Sequence, residues 1–209
     1  MSVAAAEGGV RGLPSLAGRL PSPPPRSLDP FLDAAAACFA RHGIRRTSVQ
    51  DIAQEMGRDR TTVYRRVGTV DAISRLLLAR ELNRLLAELP RGPGEQPAPE
   101  SIVGILAGAV DFWRGHPVLV KVRADEPELI GSFLGDLPEI VDRVAAAVAP
   151  LLQSAMDDGR LAPQNPVVLA EWLVRIGLSL IVAPPPGNVE DFLAQVLLPA
   201  LAPDPRENP

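Results

Sequence analysis

The sequence predicts an all-α protein with a small N-terminal helical domain followed by a larger one. Only 4% of its 209 residues are aromatic, and strand-forming residues do not alternate with polar ones. Alanine, leucine, arginine and glutamate dominate the stretches in which apolar residues recur at helical spacing, and these residue types favour helix. The 46% hydrophobic and 22% charged residues are typical of a globular chain that buries a core.

The chain is predicted to begin with a disordered arm over residues 1–28, since this segment is rich in proline, glycine and serine. A first helix should follow, with Asp29 as its N-cap and Pro30 in its first turn. Gly43 should end this helix, because glycine adopts the left-handed conformation of a helix C-terminus without strain. Its predicted buried face consists of Leu32, Ala35, Ala36 and Phe39.

Residues 47–67, TSVQDIAQEMGRDRTTVYRRV, predict two short helices joined by a tight turn. Thr47 or Ser48 can cap the first helix, and Gly57 can end it. Asp59 can cap the second helix, whose valines would face inward. This pattern is that of a helix-turn-helix motif. The second helix would present side chains of the types that contact base edges and phosphates in a major groove, namely Arg60, Thr61, Thr62, Tyr64, Arg65 and Arg66.

Positive charge is concentrated around this motif. Residues 41–66 hold seven arginines and three acids, a net charge of +4, while the whole chain carries −4. A basic face on an acidic body favours contact with DNA through one surface. The predicted DNA-contacting residues are Thr47, Ser48, Arg58, Arg60, Thr61, Thr62, Tyr64, Arg65 and Arg66.

We assign different roles to these side chains. Arg60 or Arg65 is expected to contact a guanine, while Thr47, Ser48 and Arg66 are expected to hold phosphates. Tyr64 is equally open to a phosphate contact or a packing role. The arginines of the arm, Arg11, Arg19 and Arg26, are open to phosphate contact or simple solvation.

Residues 31–88 resemble the N-terminal DNA-binding domain of the tetracycline-repressor (TetR) family of bacterial transcription regulators. Three pieces, FLDAAAACFARHG, TSVQDIAQEMG and RTTVYRRV, agree in order and spacing. The resemblance implies a repressor whose homodimer binds a palindromic operator on double-stranded DNA. The family's usual phosphate-contacting lysine is replaced by Val70, and Arg58, Arg65 and Arg66 are expected to supply its charge.

A fourth helix is predicted from about Val70 to Leu89, with Arg80 and Glu81 on its solvent-exposed face. The proline-rich segment 90–99 predicts a linker. Six further helices are predicted at 99–115, 117–124, 127–134, 138–158, 165–183 and 188–202. The predicted division is a DNA-binding domain at 29–89, a larger domain at 100–202 and a tail at 203–209.

Two later pieces, HPVLVKVRADEPELIGSFL and AEWLVRIGLSLIVAPPPG, resemble C-terminal domains of actinobacterial TetR-family regulators. The resemblance implies a ligand-binding and dimerisation domain in which the last two helices form a four-helix bundle with a second subunit. These two helices are apolar nearly all round, which itself calls for partners on both sides.

The middle helices predict a largely apolar effector pocket, in which one polar end of a small hydrophobic ligand is held by His116, Arg123 or Arg175. Each of these three is also open to a purely structural role. The predicted ligand-binding residues are Phe112, Trp113, His116, Arg123, Phe133, Met156 and Arg175.

The residue inventory argues against an enzyme. Two histidines, one cysteine and one tyrosine offer no convincing metal site or activated nucleophile, and no cofactor is expected. Neither a signal peptide nor a membrane span is expected, so the expected location is the cytoplasm. The alternative to a regulator is a helical small-molecule carrier or scaffold that has lost specific DNA binding.

Overall fold

A computed structural model describes residues 22–89, 97–133 and 137–203, without the side chains of residues 132 and 133. These residues form a short 3-10 turn, Arg26–Leu28, and ten α-helices, with no strand among them. The all-α prediction is thereby confirmed. The helices are α1 Asp29–His42, α2 Val49–Glu55, α3 Arg60–Val67, α4 Val70–Ala87, α5 Pro99–Gly115, α6 Pro117–Asp125, α7 Glu128–Phe133, α8 Leu137–Asp157, α9 Pro166–Val182 and α10 Val189–Leu201.

Most of the predicted arm, linker and tail lies outside the described residues, at 1–21, 90–96 and 204–209. Within the described part of the chain, no helix combines the length and the apolar character that a membrane crossing requires.

The start of α1 differs from the prediction. Its N-cap is Leu28, which offers no side-chain hydrogen bond, because the preceding 3-10 turn runs directly into the helix. Asp29 is the first helical residue, and its carboxylate lies 3.5 Å from the guanidinium of Arg80 on α4. Gly43 ends the helix at φ +87°, as expected.

The caps of α2 and α3 agree with the prediction. Ser48 forms a capping box with Asp51, each accepting a hydrogen bond from the backbone N–H of the other. Asp59 caps α3 by accepting the N–H of Thr62 at 2.8 Å. Gly57, at φ +62°, allows the chain to reverse between the two helices.

One hydrophobic core joins the helix-turn-helix to helices from later in the chain. Its largest fully buried side chains include Phe39 of α1, Ile52 of α2 and Ile73 of α4. Val122 of α6 and Leu129 of α7 are buried in the same core. Since α6 packs directly on α1, the helix-turn-helix is supported by helices from the C-terminal half.

A second core lies among α5, α8, α9 and α10, around Val110, Leu152, Leu173 and Leu193.

The α4 helix runs between the two regions. On α4, the prediction that Arg80 and Glu81 are solvated is wrong, since each is only 6% exposed. Arg80 reaches α1, where its Nη1 lies 2.7 Å from the carboxylate of Asp33.

Candidate nucleic-acid interface and effector cavity

The α3 helix offers a polar face that is rigidly held from behind. Val63 and Val67 are buried against the core and fix the orientation of the helix. Arg60, Thr61 and Tyr64 are exposed on the opposite side, as are Arg65 and Arg66 in the last turn. Because Tyr64 is 53% exposed, it is available at the surface rather than buried as a packing residue.

Two of the predicted contact residues are engaged in holding the motif itself. Thr47 is 5% exposed, and its hydroxyl donates to the carbonyl of Gly43 at 2.6 Å. This buried position does not suit the predicted phosphate contact. The hydroxyl of Thr62 donates to Asp59 at 2.6 Å, and this bond, followed by the Thr62 backbone N–H, lowers the pKa of Asp59.

Unpaired positive charge is concentrated at the turn and along α3. Arg41 pairs with Glu55, and Arg45 pairs with Glu128. In contrast, four predicted contact residues form no ion pair with any described residue, and all are exposed: Arg58, Arg60, Arg65 and Arg66. A cluster of free guanidiniums beside hydroxyl groups is the chemistry that recognises the DNA backbone and guanine edges.

A cavity of about 1020 Å³ lies behind this unit. Its walls come mainly from α4, α5, α6, α8 and α9, and they are largely apolar. Phe39 of α1 and Ile44, which follows α1, also line it. The cavity therefore extends to residues of the core that supports the DNA-binding helices.

Five of the seven predicted ligand-binding residues line this cavity, namely Phe112, Trp113, His116, Arg123 and Arg175. Met156 does not line it; this side chain packs against the core formed with α5, α9 and α10. The side chain of Phe133 lies outside the described residues.

The predicted polar anchors are not equivalent. Arg123 donates through Nη2 to the Arg114 carbonyl at 2.7 Å and through Nη1 to the Ile181 carbonyl at 3.4 Å. Arg175 pairs with Glu171, one turn away on α9. Arg123 thus ties α6 to the ends of α5 and α9, and both arginines have structural roles.

His116 is half-buried and stands beside Phe112 and Trp113, whose rings lie 6.0 Å and 5.9 Å from the imidazole. Burial lowers the pKa of His116 below its ordinary value of 6.5. The imidazole is therefore neutral at pH 7 and adds no positive charge to the cavity.

Glu81 is a cavity residue that the sequence interpretation missed. It lies on the cavity-facing side of α4, where residues three or four positions apart are mainly leucines: Ser74, Leu77, Leu78, Leu82 and Leu85. That position among the leucines was the signal in the sequence, because residues at this spacing share one helix face.

A second carboxylate, Glu126, connects the α6–α7 turn to the DNA-binding unit. Its oxygens accept the backbone N–H groups of Ile44 at 2.8 Å and Arg45 at 3.0 Å, and the residue is 4% exposed. The contact is close, since a Cβ atom at Gly43 would lie 2.7 Å from the carboxylate. Glu126 therefore fixes the loop between α1 and α2 from a distance of 82 residues in sequence.

The geometry combines a helix-turn-helix motif that presents unpaired arginines with a large, mainly apolar cavity. The sequence profile described as "Bacterial regulatory proteins, tetR family" matches residues 31–68. An uncharacterized HTH-type transcriptional regulator of Mycobacterium tuberculosis is 26% identical over 182 residues, which cover 84% of this chain and 85% of the relative.

Solved structures share the fold. The SmeT–triclosan complex is 19% identical, with a TM-score of 0.62 over 88% of this chain and 96% of that one. The TetR-family repressor AlkX from Dietzia sp. strain DQ12-45-1b is also 19% identical, with a TM-score of 0.61 over 84% and 94% of the two chains.

The family model and the relatives together support a TetR-family bacterial transcriptional regulator. This assignment confirms the resemblance seen in the sequence, and it confirms the expectation that the protein is not an enzyme. Regulators of this family bind DNA operators and small-molecule effectors, typically as dimers.

Proposed function

We propose that the protein is a homodimeric repressor that binds a palindromic operator in the bacterial cytoplasm and is released by a small hydrophobic effector. The observation that carries this proposal is the wall of the cavity. Phe39 and Ile44 line it, and both belong to the core beneath the DNA-binding helices. A bound ligand would contact the support of the recognition helix directly.

In the proposed complex, α3 enters the major groove. Arg60 or Arg65 contacts guanine, while Ser48, Arg58, Tyr64 and Arg66 hold phosphates. Thr61 adds a hydroxyl at the same exposed face. Thr62 contributes indirectly, because its hydroxyl strengthens the cap at Asp59.

The proposed dimer forms through α9 and α10. Both helices pack on α5, and their outer faces leave apolar side chains in water. Val168 and Trp172 lie one turn apart on α9, and Phe192 and Val196 lie one turn apart on α10; all four are more than 40% exposed. Soluble monomers rarely expose an apolar patch of this kind. We therefore propose that a second copy of the chain buries it in a dimer interface.

We propose that effector binding alters the separation of the two recognition helices. A dimer on B-DNA must place them about 34–36 Å apart to occupy successive major grooves. Two polar tethers connect the cavity walls to the DNA-binding unit: Arg80 to Asp33, and Glu126 to the loop after α1. A ligand that shifts α4 or α6 would act on these tethers.

The apolar character of the cavity and the similarity to solved regulator structures support a hydrophobic effector. SmeT was solved with triclosan, AlkX is implicated in the biodegradation of n-alkanes, and FadR from Bacillus halodurans regulates fatty acid degradation. We assign residues 29–89 to DNA binding, 90–99 to a linker and 100–202 to effector binding and dimerisation.

The test is selection of operator fragments by the purified protein, followed by affinity measurements at fixed salt. Arg60→Ala or Arg65→Ala should cost about 1–3 kcal/mol of discrimination against the wrong base. Arg143→Ala, on α8, is the matched control and should bind as the parent does. If both α3 variants bind with unchanged affinity and selectivity, the DNA contacts are wrong. If the parent selects no DNA, the carrier or scaffold alternative is favoured.

A further inference from the structure

The cavity wall is largely apolar and holds two carboxylates, of which Glu88 is exposed at the end of α4 and Glu81 is deeply buried. Glu81 is 6% exposed, yet it lines the cavity together with leucines from the same face of α4. A buried charge is costly unless it is paired and hydrogen-bonded. The partners of Glu81 therefore indicate what this position is suited to bind.

The guanidinium contacts of Glu81 all fall on one of its two oxygens. Arg80 approaches Oε1 at 2.8 Å through both Nε and Nη2, and Arg84 approaches the same atom at 3.3 Å. The other oxygen, Oε2, accepts no hydrogen bond from any residue that the structure describes. Glu81 thus retains an acceptor that the protein does not use.

The charge around this carboxylate is negative overall. Arg80 and Arg84 are shared among three carboxylates, those of Asp29, Asp33 and Glu81. Two positive charges against three negative ones leave an excess of one negative charge. A cation added here would complete the balance, whereas an anion would increase the repulsion.

The other polar groups of the cavity do not offer a site for an acid. His116 is neutral at pH 7 because burial lowers its pKa, and both terminal nitrogens of Arg123 donate to backbone carbonyls. The side chain of Arg175 is 60% exposed and pairs with Glu171. Trp113 also lines the cavity, and its ring face attracts cations.

Building on the proposed effector function, we propose that the effector is an apolar molecule with a cationic amine head group whose N–H donates to Oε2 of Glu81. Its hydrocarbon body would fill the apolar remainder of the cavity. This assignment places the polar anchor on α4 rather than on the histidine and arginines expected from the sequence.

The test compares three probes that share one chain and differ in the head group: decylamine, 1-decanol and decanoate. Each is titrated into the full-length protein by calorimetry, below its aggregation concentration and at fixed pH and salt. Decylamine should bind at least tenfold more tightly than decanol, and decanol more tightly than decanoate.

Glu81→Gln should reduce the preference for the amine over the alcohol at least tenfold while leaving decanol binding unchanged. Glu100→Gln is the matched control, because Glu100 is exposed in the first turn of α5, is not one of the residues that line the cavity, and should leave the preference intact. If Glu81→Gln does not fold, the relative affinities of the three probes for the unsubstituted protein decide the head group.

The binding results distinguish the proposed cationic head group from the effector function on which it rests. Tighter binding of decanoate, or an amine preference that survives Glu81→Gln, overturns the head-group assignment while the effector cavity stands. No binding of any probe overturns both proposals.

Discussion

The contact between Glu126 and the loop after α1 permits a sharp test of how the C-terminal half supports the DNA-binding helices. Glu126→Gln preserves the size of the side chain but replaces one carboxylate oxygen by an NH2 group. That group cannot accept the N–H of Ile44 or Arg45, whose distances to Glu126 are 2.8 Å and 3.0 Å. One backbone donor would lose its partner at a buried site.

The expected loss of folding stability in Glu126→Gln follows from the two hydrogen bonds that Glu126 accepts. A hydrogen bond to a charged group contributes roughly 1.5–3 kcal/mol, and leaving a buried donor unpaired costs about 1–3 kcal/mol. The variant keeps one neutral hydrogen bond in place of two charge-assisted ones, so a loss of about 2–4 kcal/mol is expected. For a chain of this length, each kcal/mol shifts the melting temperature by roughly 2–4 °C.

The matched control is Glu128→Gln. Glu128 also pairs with this loop, through the side chain of Arg45, but its own side chain is 45% exposed. An exposed ion pair contributes at most about 1 kcal/mol. Thermal unfolding by circular dichroism should therefore show a much larger loss for Glu126→Gln than for the control.

A second variant acts on the same contact from the other side. Gly43→Ala would force a residue with φ +87° to carry a Cβ atom 2.7 Å from the Glu126 carboxylate. Operator affinity should fall with stability in both Glu126→Gln and Gly43→Ala, since each loosens the loop that leads into α2. Melting temperatures and affinities equal to those of Glu128→Gln would refute the idea that this tether supports DNA binding.

Replacing Trp172 and Phe192 together by aspartate is expected to convert the proposed dimer into monomers in light scattering, because both lie on the exposed apolar faces of α9 and α10. Val120→Asp, an exposed site on α6, should leave the dimer intact, and a monomeric parent would contradict the interface. The cap of α3 predicts a loss of stability in acid, since hydrogen bonds from the Thr62 hydroxyl and N–H lower the pKa of Asp59. A carboxylate with a lowered folded-state pKa stabilises the fold above its ordinary value of 3.8 and loses this contribution as pH falls through the lowered pKa. Asp59→Asn should flatten that part of the pH profile in thermal melts, and an unchanged profile would count against the cap.

The helix-turn-helix was predictable because its determinants are local. Ser48 caps α2 through Asp51, and Asp59 caps α3 through Thr62, each three residues away. Gly57 needs no distant partner to adopt φ +62°. Residue types at fixed short spacing therefore contained the signal, and the same reasoning located the later helices to within a few residues.

The features that connect the cavity to the DNA-binding unit depend on long-range contacts and were missed. Arg80 and Glu81 have the composition of a solvated helix face, and their burial depends on α1, where Asp33 lies 47 residues from Arg80. Asp29 was expected to cap α1, but its carboxylate faces Arg80 instead. An acidic residue gives no local indication of whether water or a distant arginine will be its partner.

The acidic turn at residues 125–128 illustrates the same limit. Its three acids look alike in the sequence, yet each has a separate partner: Asp125 pairs with Lys121, Glu126 with the backbone after α1, and Glu128 with Arg45. Only the fold distinguishes the two surface ion pairs from the buried contact. This distinction matters because a surface pair contributes little to stability, whereas the buried contact fixes a loop.

The two tethers, Arg80 to Asp33 and Glu126 to the loop after α1, indicate how large a change in free energy an effector must produce. Coupling between two ligand sites is typically about 1–3 kcal/mol, which is comparable to the cost of weakening one charge-assisted hydrogen bond. A ligand therefore does not need to unfold the core shared by α1, α6 and α7. Weakening the contact of either Arg80 on α4 or Glu126 after α6 would be of this size, and because the two tethers hold α1 and the loop after it, it would loosen the support of α2 and α3.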